Sequence, residues 1–269
     1  MLKPESIIAY TFFMLISINN ISGQDSALAE EYVRLAEDFK KNMNRDSAVI
    51  YYGKASVEFQ NLGNIEKLVN TYNQIGIILT RQDKYEAAKT YLEKALSTGL
   101  SSLDSNNLVI ATTYISLGVV YAAEEHYSQS LIYHNQALSI RILKLGENNA
   151  DVATSYGNVG NVYLRSKDYD RSIEAHKKSM KIRGNVFGVT SAEIIESYAG
   201  LGNAYREKKD YEASLSYFKS ALQNKIKQRG EGHKDLVRFY KNISDVYYLM
   251  DNKERGDFYK NEAETILKN

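Results

Sequence analysis

An all-α fold, a solenoid of about six antiparallel helix-turn-helix repeats, is what this sequence predicts, and three observations carry the prediction. The 269 residues contain a single proline, Pro4, and only 16 glycines, so little interrupts a helical backbone. A short pattern recurs as IGIIL, LGVVY, VGNVY, LGNAY and ISDVY, and its small residues Gly76, Gly118, Gly160, Gly202 and Ser244 stand 42 positions apart. Within a copy the spacing is helical: Tyr114, Leu117, Gly118 and Tyr121 fall at i, i+3, i+4 and i+7, one face of a helix.

The first helix of each repeat is read around its small residue, which in the first repeat is Ala36. A tyrosine precedes it by four (Tyr32, Tyr72, Tyr114, Tyr156, Tyr198, Tyr240) and a bulky residue follows by three (Phe39, Leu79, Tyr121, Tyr163, Tyr205, Tyr247). Polar breaks such as AAEEH, RSKD and REKKD predict the turn that comes next. The second helix opens at Tyr85, Tyr127, Tyr169 and Tyr211, and these columns together absorb most of the 22 tyrosines. A glycine inside a helix costs about 1 kcal/mol against alanine, so Gly76, Gly118, Gly160 and Gly202 need a packing role. We assign them to the crossing of the two helices, with Ala88, Ser130, Ser172 and Ser214 on its other side. Gly99, Gly146, Gly188 and Gly230 are expected to turn the chain between hairpins. The sixth repeat places Gly256 and Lys260 where others carry packing residues, as a weaker terminal cap would.

The pairing of Tyr-x-x-Leu-Gly-x-x-Tyr with a later Tyr-x-x-Ser-Leu-x-Tyr-x-x-x-Ala-Leu resembles the tetratricopeptide repeat. The 42-residue period and linkers such as ILKLGENNADVATSY and KQRGEGHKDLVRFY resemble the kinesin light chain type. The resemblance runs from Ser26 to Asn269 and implies a right-handed superhelix, with repeats over about 26–63, 64–108, 109–150, 151–192, 193–234 and 235–269. The family's closing proline is missing, and Asn149-Ala150 and His233-Lys234 stand where the light-chain linker has His-Pro. In the family the first helices line a concave groove, and the residue after the small column points into it. Here that residue is Glu37, Ile77, Val119, Asn161, Asn203 or Asp245. By resemblance Asn161 and Asn203 would hydrogen-bond an extended peptide backbone. Ile115 and Val119 offer an apolar anchor, and Arg165, Arg206, Arg238 and Lys241 would grip an acidic flank. The lysine of the chaperone-type carboxylate clamp is absent, with Gly157 and Ala199 in the matching positions.

Composition narrows the functions that remain. With 34 Lys+Arg against 33 Asp+Glu there is no basic excess to neutralise nucleic-acid phosphates. Without cysteine there is no disulfide framework, thiolate metal site or cysteine nucleophile. No phosphate-cradling loop, Gly-x-Ser-x-Gly elbow or His-Glu-x-x-His helix is present, so neither catalysis nor a cofactor is expected. His134 and His176 hold equivalent positions in adjacent repeats. They are read as substitutes for a packing aromatic like Phe218, not as metal ligands.

Residues 1–24 stand apart: Lys3, then an apolar run from Ile7 to Ile18, then NNISGQ, the pattern of a secretory signal peptide. The expectation is a repeat domain over 25–269 that is secreted or periplasmic. The alternative is a membrane anchor formed by the uncleaved segment, the only membrane contact foreseen. The function expected is a non-catalytic scaffold that binds a protein or peptide segment. The alternative is a sensory or regulatory module acting on a signalling partner.

Overall fold

The computed structural model describes residues 26–268, and all regular secondary structure among them is helical. The signal segment expected over residues 1–24 lies outside the described residues. No helix among the described residues is long and apolar enough to cross a membrane. The chain divides into two compact units between Val120 and Tyr121.

The first unit holds α1 (residues 26–41), α2 (Arg45–Asn61), α3 (Ile65–Thr80), α4 (Tyr85–Ser102) and most of α5 (Leu108–Ala123). Its core gathers Ala29 from α1, Ala55 and Phe59 from α2, Leu68, Val69 and Tyr72 from α3, and Ala95 from α4. After the end of α5, the second unit holds α6 (Tyr127–Leu145), α7 (Ala150–Arg165), α8 (Tyr169–Phe187), α9 (Ile195–Glu207) and α10 (Tyr211–Arg229). A short 3-10 turn (Lys234–Leu236) then leads into α11 (Val237–Leu249) and α12 (Lys253–Lys268). In this unit α7 packs on α8, α9 on α10 and α11 on α12, while α8 and α10 each also pack on the first helix of the next hairpin. The 42-residue period is spent on long second helices: α6, α8 and α10 have 19 residues each, against 13 in α9 and α11.

The glycine column sits at the helix crossings. A Cβ on Gly76 would lie 2.5 Å from Leu92, one on Gly160 2.8 Å from the His176 ring, and one on Gly202 2.6 Å from Phe218. Each bulky partner stands sixteen residues after its glycine, so the knob and its seat are part of the repeat. Across the same crossing Ser172 Oγ donates to the Gly160 carbonyl and Ser214 Oγ to the Gly202 carbonyl, both at 2.8 Å. The sixth hairpin inverts the arrangement. Ser244 on α11 donates to the carbonyl of Gly256 on α12, and the ring in the seat is Tyr248, from α11 itself.

Inside every hairpin the turn passes through one residue of left-handed conformation: Met43, Asp83, Glu125, Lys167, Lys209 and Asp251, none of them glycine. The next residue caps the second helix where its side chain allows. Asp168 accepts from the Arg171 amide at 3.2 Å and Asp210 from the Ala213 amide at 3.1 Å. Between hairpins Gly146, Gly188 and Gly230 take φ of 79°, 89° and 83°, a conformation that suits glycine. Gly99 is a correction to the sequence reading. It lies within α4, where a Cβ would meet Ile110 at 3.0 Å, and the helix ends instead at the extended Leu103. Gly99 aligns 42 residues before Arg141, not before Gly146, so its smallness serves packing.

Tyrosines pair face to face across three hairpins: Tyr121 with Tyr133, Tyr205 with Tyr217 and Tyr247 with Tyr259, at 5.4–5.5 Å. The fourth hairpin has Ala175 at the partner position, and there the Arg171 guanidinium covers the Tyr163 ring at 4.9 Å.

Candidate binding site

In the second unit the helices α7, α9 and α11 bring residues of equal register side by side. Thr154, Glu196 and Arg238 form one row, Asn158, Gly200 and Asn242 another, and Asn161 and Asn203 a third. Together with Gly157, Ala199 and Phe239 they line a half-open cleft of about 330 Å³. Its floor comes from α8, which contributes His176 and Arg183. The cleft is opened by small residues on two helices, Gly157 on α7 and Ala199 and Gly200 on α9. Gly200 has a second effect, since a Cβ there would lie 2.5 Å from the His176 ring.

The four asparagine side chains of the cleft, Asn158, Asn161, Asn203 and Asn242, make no hydrogen bond to any described residue, so their donors and acceptors face the opening unspent. Glu196 and Arg238 form an ion pair across α9 and α11. Arg183 donates to Ser197 Oγ at 2.9 Å and to Thr154 Oγ1 at 3.3 Å, and burial lowers its guanidinium from the ordinary value. His176 is 2% exposed with no hydrogen bond to either ring nitrogen, and burial holds its pKa down at about 4. The ring is therefore neutral at pH 7, with one donor and one acceptor.

The structure thus gathers three of the groove residues named from sequence, Asn161, Asn203 and Arg238, into one cleft. The others stand elsewhere. Arg165 lies over the Tyr127 ring at 5.6 Å, and Arg206 pairs with the adjacent Glu207 at 3.2 Å. Lys241 lines a separate, more open depression with Lys225, Lys234 and Asp235. Ile115 and Val119 lie on α5 in the first unit, Ile115 half-buried and Val119 44% exposed. His176 occupies the seat against Gly160 that Phe218 occupies against Gly202. No group of three His, Cys, Asp or Glu among the described residues could hold a metal ion. Sequence reasoning passed over the α8 floor. A usable signal was there, because Arg141, Arg183 and Lys225 form their own 42-residue column and Gly200 falls outside the structural glycine column.

A family model described as tetratricopeptide repeat matches residues 67–142 and 151–227. No curated protein matches the chain. Among solved structures, BtubC (BKLC) from P. vanneervenii is similar with a TM-score of 0.68 at 16% identity, covering 91% of both chains. Nearly identical TPR-like repeats of a Podosopora anserina kinesin light chain give a TM-score of 0.64 at 14% identity, over 76% of this chain and 98% of that one. The apo form of RapI gives 0.66 at 15% identity, over 90% and 85%. At these identities the likeness is one of fold.

Proposed function

The chain belongs to the tetratricopeptide repeat family, and from that premise we propose that it is a scaffold that binds a peptide segment of a partner protein across α7, α9 and α11. The observation that carries the reading is the set of unspent asparagine amides in the cleft, two of them, Asn161 and Asn203, in register one repeat apart. Asn161 is exposed and Asn158, Asn203 and Asn242 half-buried, so their amides are open to a ligand. A ligand backbone, with one donor and one acceptor per residue, supplies what the protein does not. Arg183 and Arg238 line the cleft, and Arg183 keeps N–H donors beyond those given to Ser197 and Thr154, which supports an acidic residue in the ligand. A single segment that orders on binding should bind in roughly the micromolar range.

Selection from a random displayed peptide library tests this. Enriched peptides should perturb backbone NMR signals of α7, α9 and α11. Failure to enrich any binder, or perturbation confined to other helices, contradicts the proposal. We further propose that the scaffold acts outside the cytoplasm, on the strength of the apolar run from Ile7 to Ile18. Intact mass of protein from its native source decides this. A chain beginning near Asp25 supports it, and one retaining Met1 opposes it.

A further inference from the structure

The fourth and fifth hairpins close on a single uncharged ring. Building on the peptide-binding reading above, we propose that the seam between α8 and α9 is an acid-sensitive hinge: a proton on His176 parts the two hairpins and so loosens the hold of α7 and α9 on a ligand that bridges them.

His176 is wedged between two helices. Its Nε2 and Cδ2 lie nearest the seat of Gly160 on α7, and its Nδ1 and Cε1 nearest that of Gly200 on α9. A Cβ would come within 2.8 Å of the ring in the first seat and 2.5 Å in the second, so the ring fills the space that both glycines leave. Gly200 falls outside the 42-residue glycine column, and the residues in its register on α7 and α11 are Asn158 and Asn242. A second glycine seat, costly inside a helix, is therefore particular to this seam. Hydroxyls tie the same seam: Ser179 Oγ lies 3.0 Å from Ser197 Oγ, to which Arg183 also donates.

Nothing around the ring is placed to receive a charge. It is buried, and neither nitrogen has a hydrogen-bond partner. On α7 the residues that line the cleft beside it, Thr154, Gly157, Asn158 and Asn161, carry no charge. On α9 Glu196 is engaged by Arg238 of α11. On its own helix the charge that acts on it is the Arg183 guanidinium, itself positive, on which Glu196 and Glu193 act in turn. An imidazolium has two N–H groups to satisfy and a charge to solvate, and it gains both when the helices separate. Burial holds the ring at about 4 in the closed seam, whereas an exposed ring titrates near 6.5. Above pH 6.5 both states are neutral and pH has no effect. Between about 6.5 and about 4 the open seam takes up a proton that the closed seam refuses, so the opening equilibrium rises about twentyfold from pH 7 to pH 5. Packing alone would be served by hydrocarbon, as Leu92 serves against Gly76 and Phe218 against Gly202.

The chain has no cysteine, so one introduced thiol reports on the seam alone. Ser179→Cys places it at a fully buried position between α8 and α9. Its rate of reaction with dithiodipyridine, a reagent that works in acid, is measured in the full chain and divided into the rate in denaturant at each pH. This protection should fall about twentyfold from pH 7 to pH 5. Adding His176→Leu should abolish the fall, and His176→Phe serves the same purpose if the leucine variant does not fold. Adding His134→Leu, at an equally buried ring without a second glycine seat, should leave the fall in place. A fall that survives the loss of His176, a fall abolished by His134→Leu, or no fall at all overturns the hinge. Ala55→Cys, in the core of the first unit, should stay better protected at every pH, and equal protection would mean unfolding of the whole chain instead of a hinge. A library-selected peptide at saturation should restore the protection at pH 5, and a peptide that binds α7 and α9 without doing so overturns the coupling to the ligand. The two proposals fail separately, because labelling needs no ligand. Labelling that follows pH while no library peptide binds leaves the hinge and removes the scaffold reading. Peptides that bind while labelling ignores pH do the reverse.

Discussion

Glycines in this chain look alike in sequence and differ in what surrounds them. Gly202 faces the Phe218 ring so closely that a methyl group would sit 2.6 Å from it, whereas Gly53, in α2, has nothing within 4 Å of where a Cβ would stand. The first is a seat and the second is only a flexible residue in a helix. Gly202→Ala should therefore destabilise by about 1–3 kcal/mol through overpacking. Gly53→Ala should stabilise by about 0.5–1 kcal/mol, because alanine loses less backbone entropy on folding. Denaturant melts of the two variants against wild type check both signs. Equal effects would mean that close packing does not distinguish the two sites. Residue-scale asymmetry also explains the serine opposite each seat: Ser172 and Ser214 are small enough for the crossing and still reach a carbonyl on the facing helix.

At the scale of the helix, what was legible in the sequence was whatever the packing repeats. The first-helix stripe, the glycine seats and the tyrosine columns recur at 42-residue spacing because hairpins such as those of Gly160 and Gly202 make the same crossing contact, and each was readable from spacing. Contacts made by backbone conformation left no such trace. The left-handed turn residues Met43, Asp83, Glu125, Lys167, Lys209 and Asp251 share a backbone conformation and no side-chain chemistry, so no residue type announces them. Gly99 misled for the opposite reason: a glycine near a helix end suggests a turn, and here it answers to Ile110 on α5. In the sixth hairpin Ser244 and Gly256 exchange roles across the crossing, which keeps the contact while breaking the column. Of the candidate site, the asparagines on α7 and α9 were visible from their register. Arg183 and His176 were not assigned to it, because they reach the cleft from a second helix, through a gap that Ala199 and Gly200 leave in α9.

Across the whole molecule two buried histidines tie stability to pH. Burial holds His134 and His176 at about 4, while in the unfolded chain each would titrate near 6.5. Above pH 6.5 both states hold neutral rings and the histidines contribute no pH dependence. As pH falls from about 6.5 to about 4, the unfolded chain takes up protons that the folded chain refuses, so stability declines. Below about 4 the loss stops growing. At about 1.4 kcal/mol per pH unit the decline approaches a few kcal/mol for each histidine. Paired carboxylates such as Asp168, held low chiefly by its hydrogen bond from Arg171, lose their contribution as pH drops through the carboxylate range and add to the loss there. Denaturant midpoints across pH 4–7 should show this slope, and His134→Phe with His176→Phe should flatten it, since Phe218 already fills an equivalent seat. A slope unchanged in the double variant would mean that other groups set the acid limit.

The central claim is that the asparagine row of the second unit recognises a ligand backbone, whatever the ligand's sequence. It is tested most directly by the affinities of several unrelated library-selected peptides for wild type and for the double variant Asn161→Ala, Asn203→Ala. Each lost hydrogen bond to the backbone is worth about 1 kcal/mol. The account predicts that every peptide weakens by a similar factor, on the order of tenfold or more. Affinities that do not change, or a loss confined to one peptide, would contradict it and leave Asn161 and Asn203 as solvated helix surface.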